Sequence, residues 1–401
     1  MAKDLTTAAI AHSVPEIQQA LAHLWERRIA PVDADGGHVV AARSRLLNLV
    51  VVAGHRETAE RCAAIIAATA GRHPSRSLIL SALDVEGPPG LSARVEAVEA
   101  AASAGAAQTG AETIYVATHG ETRHHLASII VPLLLRDLPV ALWWPHDPQF
   151  DSRRADRLLP MVDRLIVDGS SWSGDGLGRL CAMARVTHRE GLVVADFALL
   201  RQARWREALA SVYDLPDLRP HLRAVRSIVV EYAASAQGDP GGLTNVVRPV
   251  YHVAWLASRL GMGVVEPMRR VADGTRMATL RQSEHQVAVE WRPVLSELGP
   301  GSTVRVEIVS RLRGAELVGN VAAGDRTVEV TIRDDGRKRV RRTYLAPRLQ
   351  EVDLLERAIE DSAADPVAGD ALALAWRLIG AEPVVPAAGD AAASPARDDD
   401  E

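Results

Sequence analysis

Residues 46–70 read LLNLVVVAGHRETAERCAAIIAATA, and the fold class turns on how this stretch divides. Leu46 to Val52 is a nearly continuous apolar run, the pattern of a short strand covered on both faces. After Gly54, the residues Cys62, Ile65, Ile66 and Thr69 fall on one side of a helix, and Gly71 fits its stop. A strand followed by such a helix is the unit of a parallel sheet. The unit recurs downstream, with strands expected at 76–83, 112–118, 138–144 and 162–168 and helices at 121–135, 150–159 and 176–186. Pro132 should kink or break the helix of 121–135. Residues 92–102, SARVEAVEAAA, fit either an edge strand or a short helix. Upstream, Ser13 and Glu16 form a capping box before Ile17, Ala20, Leu21, Leu24 and Trp25, and Gly36-Gly37 suggests a turn.

Around residue 190 the pattern changes. Residues 196–213 read as one amphipathic helix, 224–233 as a strand and 243–261 as a helix around Trp255. From about residue 276 the apolar period drops to two, with GPGS, RG, AGD and DDGRK supplying turns, so an antiparallel meander is expected. Helices at 351–361 and 366–379 follow, and the acidic VVPAAGDAAASPARDDDE cannot bury enough apolar surface to order itself. The expected architecture is α/β. A mostly parallel, three-layer, Rossmann-like domain spans 1–190, an α+β domain with an antiparallel sheet spans 191–383, and a disordered acidic tail spans 384–401.

Composition narrows the function. A net charge of −5 over 401 residues gives no reason to expect a nucleic-acid partner. Two cysteines make neither a disulfide framework nor a zinc site alone. The N-terminus has no secretory apolar core, and no run of about 18 apolar residues could span a membrane, so a cytoplasmic protein is expected.

The search for chemistry returns little. Neither lysine, Lys3 or Lys338, sits in a Walker A loop, and no GxGxxG opens a helix. His119, His124 and His125 lack the i, i+4 spacing of a helical metal pair, and Cys62 and Cys181 fall on apolar stripes. No GxSxG elbow is present. No catalytic residue, metal or cofactor is therefore assigned. The loop VDGSSWSGDGLG, 167–178, lies where α/β proteins place ligands, or is a plain connection. In LPVALWWPHD, 138–147, alternation sends Trp143 and Trp144 to opposite faces, with His146 and Asp147 in the loop beyond. These indoles either pack or form a binding rim. The stretch Arg333–Arg342 carries six positive residues across a hairpin. It reads as a charge-protected edge strand, a contact for an acidic partner, or a nucleic-acid contact. Candidate partner-binding residues are Trp143, Trp144, His146, Arg337, Arg339 and Arg341.

The runs VPLLL (131–135), DLPV (137–140) and WWP (143–145), followed by RLIVDGSSW (164–172), resemble the signature of the glucose-6-phosphate dehydrogenase assembly protein family, OpcA. His73-Pro74-Ser75-Arg76 is similar to that family's lead into a strand, and Trp205-Arg206 to its RWR segment. The resemblance covers about 45–215 well and the rest in outline. It implies a non-catalytic accessory protein that binds the dehydrogenase, promotes its active oligomer and tunes it allosterically in the oxidative pentose phosphate pathway. The alternative reading is a ligand-binding or enzymatic α/β domain. It would take a sugar phosphate or nucleotide in a crevice beside His119, His146 and residues 169–174.

Overall fold

Leu47–Ala53 is buried at every residue, as its nearly continuous apolar run requires. A computed structural model describes residues 7–26, 46–84, 88–100, 109–187, 191–234, 243–271, 274–360 and 366–381. The turn at Gly36-Gly37 and the tail of 384–401 lie outside the described residues. The first sheet contains β1 (Thr7–Ala11), β2 (Leu47–Ala53), β3 (Ser75–Asp84), β4 (Gly90–Ala100), β5 (Thr109–His119), β6 (Val140–Trp144), β7 (Arg164–Val167) and β8 (Val193–Asp196). Its order is β1-β4-β5-β3-β2-β6-β7-β8. The strands from β5 to β8 pair parallel, while β4 runs antiparallel to both its neighbours.

Alternate residues of the central strands enter different cores. Val50, Val52, Leu142, Trp144 and Leu165 meet helices Val14–Glu26, Arg153–Leu158 and Leu177–Thr187. Leu49, Val51, Trp143 and Ile166 meet helix Arg56–Thr69 and helix Glu351–Glu360. The predicted capping box forms, with Ser13 Oγ donating to Glu16 Oε1 at 2.8 Å and the His12 amide donating to Glu16 Oε2 at 2.9 Å.

The second sheet contains β9 (Val225–Ala233), β10 (Gly263–Arg270), β11 (Arg276–Gln282), β12 (His285–Val294), β13 (Thr303–Leu312), β14 (Ala315–Ala323), β15 (Thr327–Asp334) and β16 (Arg337–Leu345). Its order is β10-β11-β12-β9-β13-β14-β15-β16, antiparallel throughout except for β12 with β9. Helix Val247–Arg259 packs on it, and Trp291 Nε1 donates to the Pro249 carbonyl at 3.0 Å. Two hairpins close on residue pairs in the left-handed region, Arg313-Gly314 and Asp335-Gly336, as their RG and DG sequences demand. Among the described residues no helix is long and apolar enough to cross a membrane.

Several local expectations are corrected. Residues 92–100, the described part of 92–102, are neither helix nor edge. Their period of two buries Ala93 and Val95, and the strand is flanked on both sides because the short β1 takes the edge. The helix of 121–135 breaks into Leu126–Ile130 between two 3-10 turns, since Pro132 has no amide to continue it. The single helix of 196–213 becomes Phe197–Leu200 and Ala203–Ala210. Arg201 and Gln202 at the break turn their side chains to Asp168 and to the Arg248 carbonyl. The meander is not unbroken either. The earlier strand β9 inserts at its centre, and the edge strand β10, with Pro267 and mostly exposed residues, carried no strand signal.

Candidate functional site

Strand β6 ends in two indoles that the structure buries completely. Trp143 is 1% exposed and meets Phe197 at 6.0 Å between ring centroids. Trp144 is 5% exposed and meets Phe150 at 5.9 Å, which in turn meets Trp172. They face opposite layers, as alternation dictates, and neither forms a rim. His146 beyond them is exposed. Asp147 accepts from the Ser173 amide at 2.8 Å and pairs with Arg179 at 3.0 Å, which ties the loop after β6 to the loop after β7.

His119 does not join His146. Strand β5 is three positions from β6 in the sheet. At a spacing of about 4.8 Å per strand, their ends stand roughly 14 Å apart.

What the carboxyl edge does hold is a pair of acids at the ends of β7 and β8. Asp168 accepts from Ser170 Oγ at 2.6 Å and from Arg201 at 2.7 Å. Asp196 is 1% exposed and accepts from the Gly169 and Ala198 amides and from the Tyr251 hydroxyl. Burial, with Asp168 nearby, pushes the Asp196 carboxyl up to about 6. The loop between them is no loose connection. Asn245 Nδ2 donates to the Gly169 and Trp172 carbonyls, both at 2.9 Å. A Cβ on Gly169 would come within 2.7 Å of Asp196 Oδ2 and 2.8 Å of Val247. This network joins the two sheets. The repeated endings of LIVD (165–168) and VVAD (193–196) were the signal that could have revealed it.

The family-like motifs prove architectural. The buried Asn48 donates to the Leu135 and Leu138 carbonyls and accepts from the Leu135 amide, which shapes the turn before β6. Arg76 pairs with the fully buried Glu112 at 2.7 Å and donates to the Leu133 carbonyl at 3.0 Å. His73 lies 3.4 Å from Glu360. Among the described residues no three His, Cys, Asp or Glu side chains gather as a metal site requires. Cys62 is buried, and desolvation raises its thiol to about 12.

The basic stretch forms β16, the outer edge of the second sheet. Arg337, Arg339 and Arg341 are all exposed. Arg339 bridges Asp217 at 2.7 Å and Asp334 at 2.9 Å, and Arg341 pairs with Glu329 at 2.9 Å. Arg337 has no ion pair among the described residues. An edge strand with this charge resists casual strand addition while presenting cations to an acidic surface.

Compared with known proteins, residues 49–185 match the family described as glucose-6-phosphate dehydrogenase subunit N-terminal domain, and residues 192–372 its C-terminal domain. A protein of Synechocystis named for the OxPP cycle, OpcA, is 26% identical over 148 residues, which are 36% of this chain and 29% of that protein. Its counterpart in Synechococcus elongatus is 27% identical over 136 residues, 34% of this chain and 28% of that protein. The match thus spans under a third of those relatives' length. A crystal structure from Magnetospirillum magnetotacticum, described as an oxidoreductase, superposes with a TM-score of 0.41 at 14% identity. It covers 84% of this chain and 99% of its own, and so loose a likeness carries no argument.

Proposed function

The chain belongs to the glucose-6-phosphate dehydrogenase assembly family, OpcA, and from that premise we propose that it is a non-catalytic accessory protein of the dehydrogenase. It docks on the enzyme, favours its active oligomer and tunes its activity in the oxidative pentose phosphate pathway. The observation that carries this reading is the match of both family domains, which takes in the second sheet as well as the first. Such a protein acts only by binding one state of its target better than another. A coupling of about 1–3 kcal/mol would change substrate affinity roughly 5–150-fold.

The docking surface we assign is the β16 edge with Arg337, Arg339 and Arg341. It combines exposed cations with a free strand edge, which suits an acidic face of the enzyme. His146 stands on a second rim. Trp143 and Trp144 lie buried at the end of β6, two residues before His146 in the case of Trp144. The test is co-elution of the two purified proteins and titration of this one into the dehydrogenase assay. Complex formation with a shifted apparent KM is expected. Separate elution with an unchanged KM overturns the reading.

A further inference from the structure

A cleft of about 660 Å³ opens beside Trp205, between helix Val247–Arg259 and the turns that follow β12 and β14. Its charge is unbalanced, with Arg201, Arg248, Arg326 and Arg348 against Glu297 and Asp325. Arg201 is committed to Asp168. Arg248 has no such partner. Its Nη2 donates to the Ser302 hydroxyl at 3.1 Å, its buried Nε meets no acceptor, and it makes no ion pair among the described residues. Burial, then Arg201 close by, makes its charged form less favourable than usual, and the Asp168 carboxylate offsets this only in part. A guanidinium drawn out of water without an anion in direct contact is costly.

Three residues lining this cleft hold further buried polar atoms without a hydrogen-bond partner among the described residues: Gln202 Oε1, Thr303 Oγ1 and His252 Nδ1. None of these residues is more than 7% exposed. Gln202 donates its amide to the Arg248 carbonyl at 2.6 Å, which leaves its oxygen as an acceptor. Burial and the nearby Arg248 and Arg206 drop His252 to about 3, so its ring is neutral and Nδ1 is a donor or an acceptor according to the tautomer. The residues lining the cleft therefore include a cation, an acceptor and two groups of either sense. Buried polar atoms without partners are rare enough to require an explanation.

We propose that this cleft binds a small phosphate ester carrying free hydroxyls, its phosphate on Arg248 and its hydroxyls on Gln202, Thr303 and His252. The volume suits such a ligand. The site stands whether or not the chain docks on the dehydrogenase, so it would let a metabolite act on this protein directly.

The test uses the full chain, with glycerol 3-phosphate, inorganic phosphate and sodium chloride at matched ionic strength as probes. Tryptophan fluorescence serves as the readout, since Trp205 lies 5.1 Å from the His252 ring. Thermal melting is followed in parallel. A saturable response to glycerol 3-phosphate, weaker with phosphate and absent with chloride, is expected. Arg248→Gln should weaken it at least about tenfold while the ligand-free protein melts no lower, because a desolvated charge without an ion pair is gone. Should that variant fail to fold, Arg326→Gln at the exposed mouth should weaken binding several-fold without touching the core. No saturable response at tens of millimolar, an equal response to chloride, or binding that survives both substitutions overturns the proposal.

Discussion

The Tyr251 hydroxyl donates a hydrogen bond of 2.7 Å to Asp196 Oδ2, and both residues are buried. One sits at the end of the last strand of the first sheet, the other on the helix that covers the second. The two sheets are thus fastened through a carboxylate held in a poor environment for its charge.

That carboxylate should mark the pH dependence of stability. Its ordinary value is 3.8, and in the folded chain it lies near 6. Between those values the folded state holds a proton that the unfolded state has lost. Stability therefore falls as pH rises from about 4 to 6, then levels, for a total on the order of 3 kcal/mol. Asp196→Asn keeps the acceptor for the Gly169 and Ala198 amides and can donate to Tyr251. Urea unfolding at pH 4 and pH 7.5 should show the variant gaining on the wild type by that amount. A constant difference between the two pH values would refute the assignment.

Gly169 is fixed by the same contact. An added Cβ at 2.7 Å from Asp196 Oδ2 and 2.8 Å from Val247 must displace one of them. Gly169→Ala should cost about 1–3 kcal/mol, read as a lower melting temperature, whereas Gly174→Ala meets nothing within 4 Å and suffers only from its φ of +66°.

The indoles of β6 should behave as core residues. Trp143→Ala and Trp144→Ala should each cost about 3–5 kcal/mol. Phenylalanine at either position should lower the melting temperature less and leave association with the dehydrogenase intact. Loss of association at unchanged stability would place the binding surface at this edge instead.

The charged edge of β16 should show the opposite pattern. Its ion pair Arg341–Glu329 is exposed and worth under about 1 kcal/mol. Arg337→Glu combined with Arg341→Glu should leave melting nearly unchanged. It should also weaken association with the dehydrogenase about tenfold at low salt, with a smaller effect at high salt. Association unchanged by charge reversal would move the docking surface elsewhere.

Local pattern alone determined a good deal here. The nearly continuous apolar run of 46–52, buried from Leu47 onward, announced a strand covered on both sides, and the period of two after 276 announced a sheet with one wet face, because burial periodicity is written into the chain itself. The hairpin turns were legible for the same reason, since only certain residues tolerate a positive φ. Alternation also sent Trp143 and Trp144 to opposite faces. Whether those faces were covered depended on segments far away, such as helix Glu351–Glu360, which returns to the first sheet to enclose Trp143. The place of β9 between β12 and β13, the meeting of Asp196 with Tyr251, and the convergence of Gln202, Arg248, His252 and Thr303 on one cleft are likewise contacts between distant residues. No spacing encodes them, because each is set by how whole elements pack and not by the period of any single one.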